Sequence, residues 1–373
     1  MDGRHPRLAV LSHSAVESSH RRKWEIVARR GWNVLLLVPA RWPEAGRMVR
    51  ATPGRRRRLR VEVVPGLALG RLARWTPRGL DGRLEAFRPD VVLAEEEPYG
   101  MACWRACSAA RALGVPFAFF TWENIRRRYR WVQERILASV LAGSAGAVAG
   151  NAEAARLLRR RGFAGRIAVL PQYGVNAAVF RPRDGGACRR ALGWPREGPI
   201  AGYVGRLLPE KGIETLIRAA GRMPDLRVAI VGSGPHEAAL HAAADRLVPG
   251  RAIFLPAVPR DRIAVVMSAL DVLVLPSRTT PAWKEQFGRV LVEAFAAGRW
   301  AVGSSSGEIP AVLGRRSLVF REGDDRALAV RLLSVLGRRP PAGLRRRALG
   351  RFADEAVAGA TQDFLRGLLR RGG

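Results

Sequence analysis

Short apolar runs recur along this chain, each followed by a stretch long enough for a helix. In order they are RLAVLSH (Arg7 to His13), NVLLLVP (Asn33 to Pro39), RVEVVP (Arg60 to Pro65), PDVVLAEEE (Pro89 to Glu97), VPFAFFTW (Val115 to Trp122), AGAVAGN (Ala145 to Asn151) and IAVLP (Ile167 to Pro171). A run that is apolar throughout is a strand covered on both faces. A helix between two such strands makes them parallel. Ser18 to Arg30 has helical spacing, with Trp24, Val27 and Ala28 on one side, and an Ala-rich helix runs to Leu113. The pattern then restarts with PIAGYVG (Pro199 to Gly205), RVAIVGSG (Arg227 to Gly234), AIFLP (Ala252 to Pro256), DVLVLPS (Asp271 to Ser277), WAVGSS (Trp300 to Ser305) and SLVF (Ser317 to Phe320). At 373 residues the chain is too long for one core. The expectation is an α/β protein of two doubly wound domains, 1–181 and 182–351, with parallel sheets facing across a cleft. The hinge falls in the Pro-, Gly- and charge-rich stretch from Phe180 to Pro199, and a C-terminal helix over about 352–371 packs back on the first domain.

The formal net charge is +32, and all but three of the 64 basic residues are Arg, the exceptions being Lys23, Lys211 and Lys284. Such a field favours anionic substrates, acidic membrane surfaces or nucleic acid. The basic residues are dispersed, and no nucleic-acid motif accompanies them. Arg55 to Arg58 reads as a solvated loop. Cys103, Cys107 and Cys188 form no disulfide framework, and the first two read as small buried residues of a helix. The first apolar run, Leu8 to Leu11, is too short for a signal-peptide core, and no stretch approaches the ~20 apolar residues of a membrane span. The expected location is cytoplasmic, peripheral at the inner face of the plasma membrane.

Two loops of the second domain carry the chemistry. GRLLPEKG (Gly205 to Gly212) follows its first strand and brings Arg206 and Lys211, two cations able to neutralise a diphosphate without a metal. EQFGRVLVE (Glu285 to Glu293) follows DVLVLPS and opens the helix VLVEAFAAG. Its first carboxylate lies in the loop and its second lies two turns into the helix. A helix N-terminus attracts phosphate. Acids beside a phosphate are unfavourable unless they bind hydroxyls. A ligand with both phosphates and hydroxyls, such as a nucleotide sugar, satisfies both demands.

These residues resemble glycosyltransferase family 4, the group 1 glycosyltransferases, a retaining family with two facing Rossmann-like domains (the GT-B fold). The pattern G-R-x-x-x-x-K-G is met by Gly205, Arg206, Lys211 and Gly212. E-x7-E with an internal F-G is met by Glu285, Phe287, Gly288 and Glu293. The Gly/Ser-rich loop is GSSSGEIPAVLG (Gly303 to Gly314), and LPQYGVNAAVFRP (Leu170 to Pro182) looks like the segment entering the interdomain linker. The resemblance implies transfer of a sugar from a nucleotide-diphosphate sugar to a glycan or lipid-linked acceptor, with no metal and no other cofactor. It implies that Arg206 and Lys211 grip the diphosphate together with the backbone near Gly288, Arg289 and Val290. Glu293 would bind ribose, Glu285 the donor sugar, and Val258 would lie against the nucleobase. On the acceptor side the chain departs from the family. SHSAVESS (Ser12 to Ser19) replaces a Gly-Gly turn, and FFTWENI replaces a His after the fifth strand. Candidate acceptor-side residues are therefore His13, Glu97, Trp122 and Asn124, with at least one of Glu95, Glu96 and Glu97 only solvated.

Three other signals carry less. GSGPHE (Gly232 to Glu237) has Glu where a dinucleotide turn has its third Gly, so it reads as an ordinary strand-to-helix turn. His236 and His241, five apart, diverge on a helix and do not suit zinc. RRRYRW (Arg126 to Trp131) reads first as a helix face and second as a membrane-surface segment. The rival functions are a nucleotide-sugar epimerase of the same architecture and a non-enzymatic basic protein binding nucleic acid or membrane.

Overall fold

The computed structural model describes residues 5–44 and 47–370. It divides into two compact units, Met1–Gly174 with Asp354–Gly373, and Val175–Ala353. The first boundary thus falls at 174/175 rather than 181/182. The stretch read as a hinge holds a helix, Gly185–Leu192, capped by Asp184.

In the first unit the strands Arg7–Leu11, Asn33–Pro39, Leu59–Val64, Val91–Ala94, Phe117–Thr121, Gly146–Ala149 and Arg166–Val169 are all parallel. Numbered in chain order they lie side by side as 7-6-5-4-1-2-3. Alternate residues feed two cores. Ala9, Leu11, Leu35, Leu37, Phe117 and Phe119 point to one face, and Leu8, Val10, Leu36, Leu93 and Phe120 to the other, the period-2 consequence of strand geometry. The second face is covered by helix Arg22–Arg29 and by the C-terminal helix Asp354–Leu369, whose Phe364, Leu365 and Leu368 are buried there. Phe364 and Leu368 sit so close to Gly146 that a Cβ at that position would lie 2.8 and 2.9 Å from them.

Several elements escape the apolar-run pattern. Gly54–Arg56 is an antiparallel edge strand pairing Leu59–Val61, so Arg55 and Arg56 lie on a sheet edge rather than in a loop. Charge on an edge strand discourages further strand pairing. Arg41–Glu44 and Arg47–Arg50 form a separate antiparallel ladder. Arg126 to Arg130 is irregular and not a helix face. The helix begins at Trp131 and runs to Gly143.

The second unit is an all-parallel sheet of Ile200–Val204, Arg227–Val231, Ala252–Leu255, Val272–Leu275, Trp300–Ser304 and Val319–Phe320. Its strands lie in the order 3-2-1-4-5-6. This order reverses between the first and fourth strands, and ligands in such sheets bind beyond the carboxyl ends at that point. The loops there are 205–213 and 276–288. Among the described residues, no helix is long and apolar enough to cross a membrane.

Candidate functional site

The two motif loops of the second unit meet at the switch point. The Arg278 N–H donates to the Glu210 carbonyl at 2.8 Å. Gly212, at φ +61°, lies against the other loop, where a Cβ would approach the Pro276 carbonyl to 2.3 Å. Lys211 Nζ donates to Glu285 Oε2 at 2.8 Å and sits 4.4 Å from the centroid of the Trp283 ring. Ser277 Oγ donates to the same carboxylate oxygen at 2.8 Å. The side-chain bonds of Glu285 fall on Oε2, and Oε1 accepts none among the described residues.

A third loop holds Glu285 from behind. The Glu308 N–H donates to the Glu285 carbonyl at 3.1 Å. Between them Gly307, at φ +50°, passes so near that a Cβ would stand 1.9 Å from that carbonyl. The Gly/Ser-rich loop therefore fixes the backbone of the first carboxylate. Gly288, also left-handed, precedes helix Arg289–Ala296. Glu293, in the second turn, is buried and pairs with Arg289 Nε at 3.2 Å. Phe287 turns into the core and meets Phe352 edge-on at 5.2 Å, so its ring anchors the loop rather than facing a ligand.

Arg206 is exposed and makes no side-chain hydrogen bond or ion pair among the described residues. Its carbonyl accepts from the Tyr203 hydroxyl at 2.8 Å, which ties the loop to its strand. Val258, in the loop after Ala252–Leu255, is half-buried. The GSGPHE turn braces this edge. Ser233 accepts from the Leu207 N–H at 3.0 Å, and Gly232 lies so close that a Cβ there would be 1.8 Å from the Gly205 carbonyl. Its glycines serve chain-to-chain approach. His236 bonds to Glu214, and His241 stacks on Phe254 at 3.6 Å. Among the described residues no three His, Cys, Asp or Glu side chains gather as a metal site.

The first unit has its own switch point, between the strands Arg7–Leu11 and Val91–Ala94, and the acceptor-side candidates lie beyond it. The carboxylate of Glu96, buried, accepts from the His13 N–H at 2.7 Å and meets His13 Nδ1 at 2.8 Å. Burial pushes the Glu96 carboxyl up, and His13 opposes that shift. The His13 ring lies 4.6 Å from Trp42. Glu97 accepts from Thr121 Oγ1 at 2.6 Å and from the Trp122 N–H at 2.8 Å. Burial raises its carboxyl from 4.5 to about 7 against those two bonds. Glu95, buried, pairs with Lys23 Nζ at 2.5 Å. None of the three glutamates is merely solvated, because each strand-end carboxylate has its own donor. Trp122 donates from Nε1 to Gln172 Oε1 at 3.0 Å, and its ring covers Gly150, where a Cβ would be 2.1 Å away. Asn124 Nδ2 is shielded and makes no hydrogen bond among the described residues.

Sequence reading missed Glu96, Trp42, Ser277 and Trp283. The first was hidden among three like residues. Trp42 reaches His13 from the short strand Arg41–Glu44, a contact that no local spacing announces.

Residues 187–353 match the family model described as glycosyl transferases group 1, and residues 16–172 match a glycosyl transferase 4-like domain. A D-inositol 3-phosphate glycosyltransferase of Mycobacterium leprae (strain Br4923) is 37% identical over 144 residues, 37% of this chain and 32% of that protein. Its namesake in Mycobacterium sp. (strain KMS) is 38% identical over 184 residues, 47% of this chain and 40% of that protein. The matched stretch is thus less than half the length of these relatives. Among solved structures, sucrose-phosphate synthase from Thermosynechococcus elongatus aligns with a TM-score of 0.72 at 20% identity, over 98% of this chain and 100% of that one. HepE of Anabaena, in complex with UDP, aligns at 0.73 and 18% over 97% and 100%. This likeness concerns the fold. With both domain models matched in order, the chain belongs to the group 1 glycosyltransferases.

Proposed function

We propose that this protein transfers a sugar from a nucleotide-diphosphate sugar to a glycan or lipid-linked acceptor, with retention at the anomeric carbon and no metal. The observation that carries this reading is the meeting of Lys211 and Glu285 at the switch point of a 3-2-1-4-5-6 sheet, with Arg206 on the same loop as Lys211 and the start of helix Arg289–Ala296 beside them. HepE, of like fold, has been solved with UDP and with UDP-glucose, which supports a nucleotide-sugar donor.

In this reading the exposed Arg206 meets the diphosphate first. Lys211 then exchanges part of its bond to Glu285 for a phosphate oxygen, while Glu285 turns its unused oxygen to the donor sugar. The backbone at Gly288, Arg289 and Val290 takes a further phosphate oxygen, Glu293 holds the ribose and Val258 backs the base. The glycosyl–phosphate bond breaks through an oxocarbenium-like state, so stabilising the departing diphosphate is the main catalytic task. The first unit offers the acceptor, with His13, held by Glu96, and Glu97 nearest its switch point.

The test is donor hydrolysis and transfer by wild type, Lys211→Ala and Glu293→Ala. Turnover should fall about 100-fold or more in the lysine variant, as for loss of a charged transition-state donor. Chelator should leave wild-type turnover unchanged. Unaltered turnover in both variants would refute the site assignment, and conversion of the donor without acceptor would indicate an epimerase.

A cytoplasmic protein held peripherally at an anionic membrane is part of the same reading. Trp131 and Val132 are 70% and 45% exposed, and they follow the exposed Arg126, Arg127, Arg128 and Arg130. An amphipathic ring amid cations suits the headgroup layer. Flotation with anionic vesicles at low salt should recover the protein, and Trp131→Ser should reduce recovery. Failure of wild type to float would remove this element.

A further inference from the structure

The donor site uses the carboxyl edge of the second unit's sheet. At the opposite, amino edge lies a cavity of about 590 Å³ among 182–185, Asp271, 297–299, Val335 and 337–340. Four arginines line it: Arg183, Arg299, Arg338 and Arg339. None forms an ion pair with a carboxylate among the described residues, whereas many other arginines of this chain do. The two acids in the lining are already engaged. Asp271 accepts from Arg189 Nη2 at 2.7 Å and from the Ile200 N–H at 2.7 Å. Asp184 accepts from the Ala187 N–H at 2.6 Å, as the cap of helix Gly185–Leu192.

Arg299 is the informative member. Its guanidinium is half-buried, held below its ordinary pKa first by that burial. Its Nη2 donates to the Arg183 carbonyl at 3.3 Å. Gly185 lies beneath it, where a Cβ would be 2.6 Å from Nη2, so the fork rests on bare backbone. Asp271 and Asp184 act on this cation but are already bonded elsewhere, and a partly desolvated cation short of counter-charge is unfavourable. Arg189 adds like charge from behind, the exposed Arg183, Arg338 and Arg339 ring the same cavity, and a multivalent anion relieves the cost. Guanidinium forks match phosphate oxygens in pairs.

The geometry points to a second anion site, distinct from the donor site, that takes a small phosphate-bearing molecule at the amino edge of this sheet. It stands on this cavity alone and does not depend on the glycosyltransfer reading. Four strand residues of about 3.3 Å each separate it from the switch-point loops, so the two sites bind independent ligands.

The probe is inorganic pyrophosphate, titrated calorimetrically into the full chain at physiological salt. The donor loop is first disabled by Arg206→Ala with Lys211→Ala. This background should still bind one pyrophosphate, and adding Arg299→Gln with Arg338→Gln should weaken that binding about tenfold or more. Arg55→Gln with Arg56→Gln, on the exposed edge strand, should leave it unchanged. Arg299→Lys, which keeps the charge, should retain part of the affinity and guards against a folding defect. The inference is overturned if the background binds no pyrophosphate, or if the edge-strand pair weakens binding as much as the cavity pair, which would mark a diffuse effect of net charge.

Discussion

Lys211 and Glu285 neutralise one another at 2.8 Å, both largely shielded from solvent. Removing one partner leaves the other charge buried, a larger loss than the pair's own contribution. Lys211→Met should therefore destabilise the second unit by about 1–3 kcal/mol in denaturant unfolding, with part of that loss recovered in the double variant with Glu285→Gln. A full, additive loss would mean that the pair is not coupled. Glu97 carries a pH signature. Its folded-state carboxyl titrates near 7 against an ordinary 4.5, so the folded chain binds the proton more tightly between those values. The stabilisation is complete below the lower value and lost as pH rises through the upper one. Glu97→Gln should flatten the fall in stability between about pH 5 and about pH 8. An unchanged slope would show that Glu97 is not the group responsible. At this scale the sequence was legible for position: it put Arg206, Lys211 and Glu285 in loops at the sheet's carboxyl edge and Glu293 in the helix that follows. It was illegible where a role depends on a partner far along the chain, as for Glu96 with His13 or Glu95 with Lys23.

Among the elements, the glycines at the loop crossings decide the site's shape. Gly212 and Gly307 both hold left-handed backbone, and both would collide with a carbonyl if given a Cβ. Gly307→Ala should shift the backbone of Glu285 and weaken donor binding more than it lowers global stability. Parallel titration and unfolding measure the two effects, and equal affinity with reduced stability would contradict the role given to this loop. The C-terminal helix is a separate case. Phe364 is 2% exposed, against the first unit's sheet. Phe364→Ala should cost about 3–5 kcal/mol, read by denaturant unfolding. A small effect would mean that the helix is loosely held. Strands were legible because apolar runs flanked by turns leave few alternatives. The edge strand Gly54–Arg56 was not, since an antiparallel edge rich in arginine carries no apolar period. The irregular Arg126 to Arg130 stretch was misread because Arg favours helices, while Tyr129 instead stacks on Tyr99 at 4.5 Å.

At the scale of the whole chain, two parallel sheets each reverse their strand order once, and each reversal collects chemistry-bearing loops. That was readable from alternating strands and helices, although the strand orders themselves were not, because order depends on crossovers that leave no local trace. The charge of +32 acts over the whole molecule and predicts salt-sensitive association with anions generally, so affinity for a phosphate alone does not prove a donor site. Discrimination must come from the ribose and the sugar. The direct measurement is calorimetric titration with a panel of nucleoside diphosphates and nucleotide sugars, comparing wild type with Glu293→Ala. At least one nucleotide sugar should bind wild type well above pyrophosphate, and Glu293→Ala should weaken it about tenfold, as loss of hydrogen bonds to a buried charged group does. If no nucleotide binds more tightly than pyrophosphate, or if Glu293→Ala leaves nucleotide affinity untouched, the nucleotide-sugar site does not exist where these loops meet.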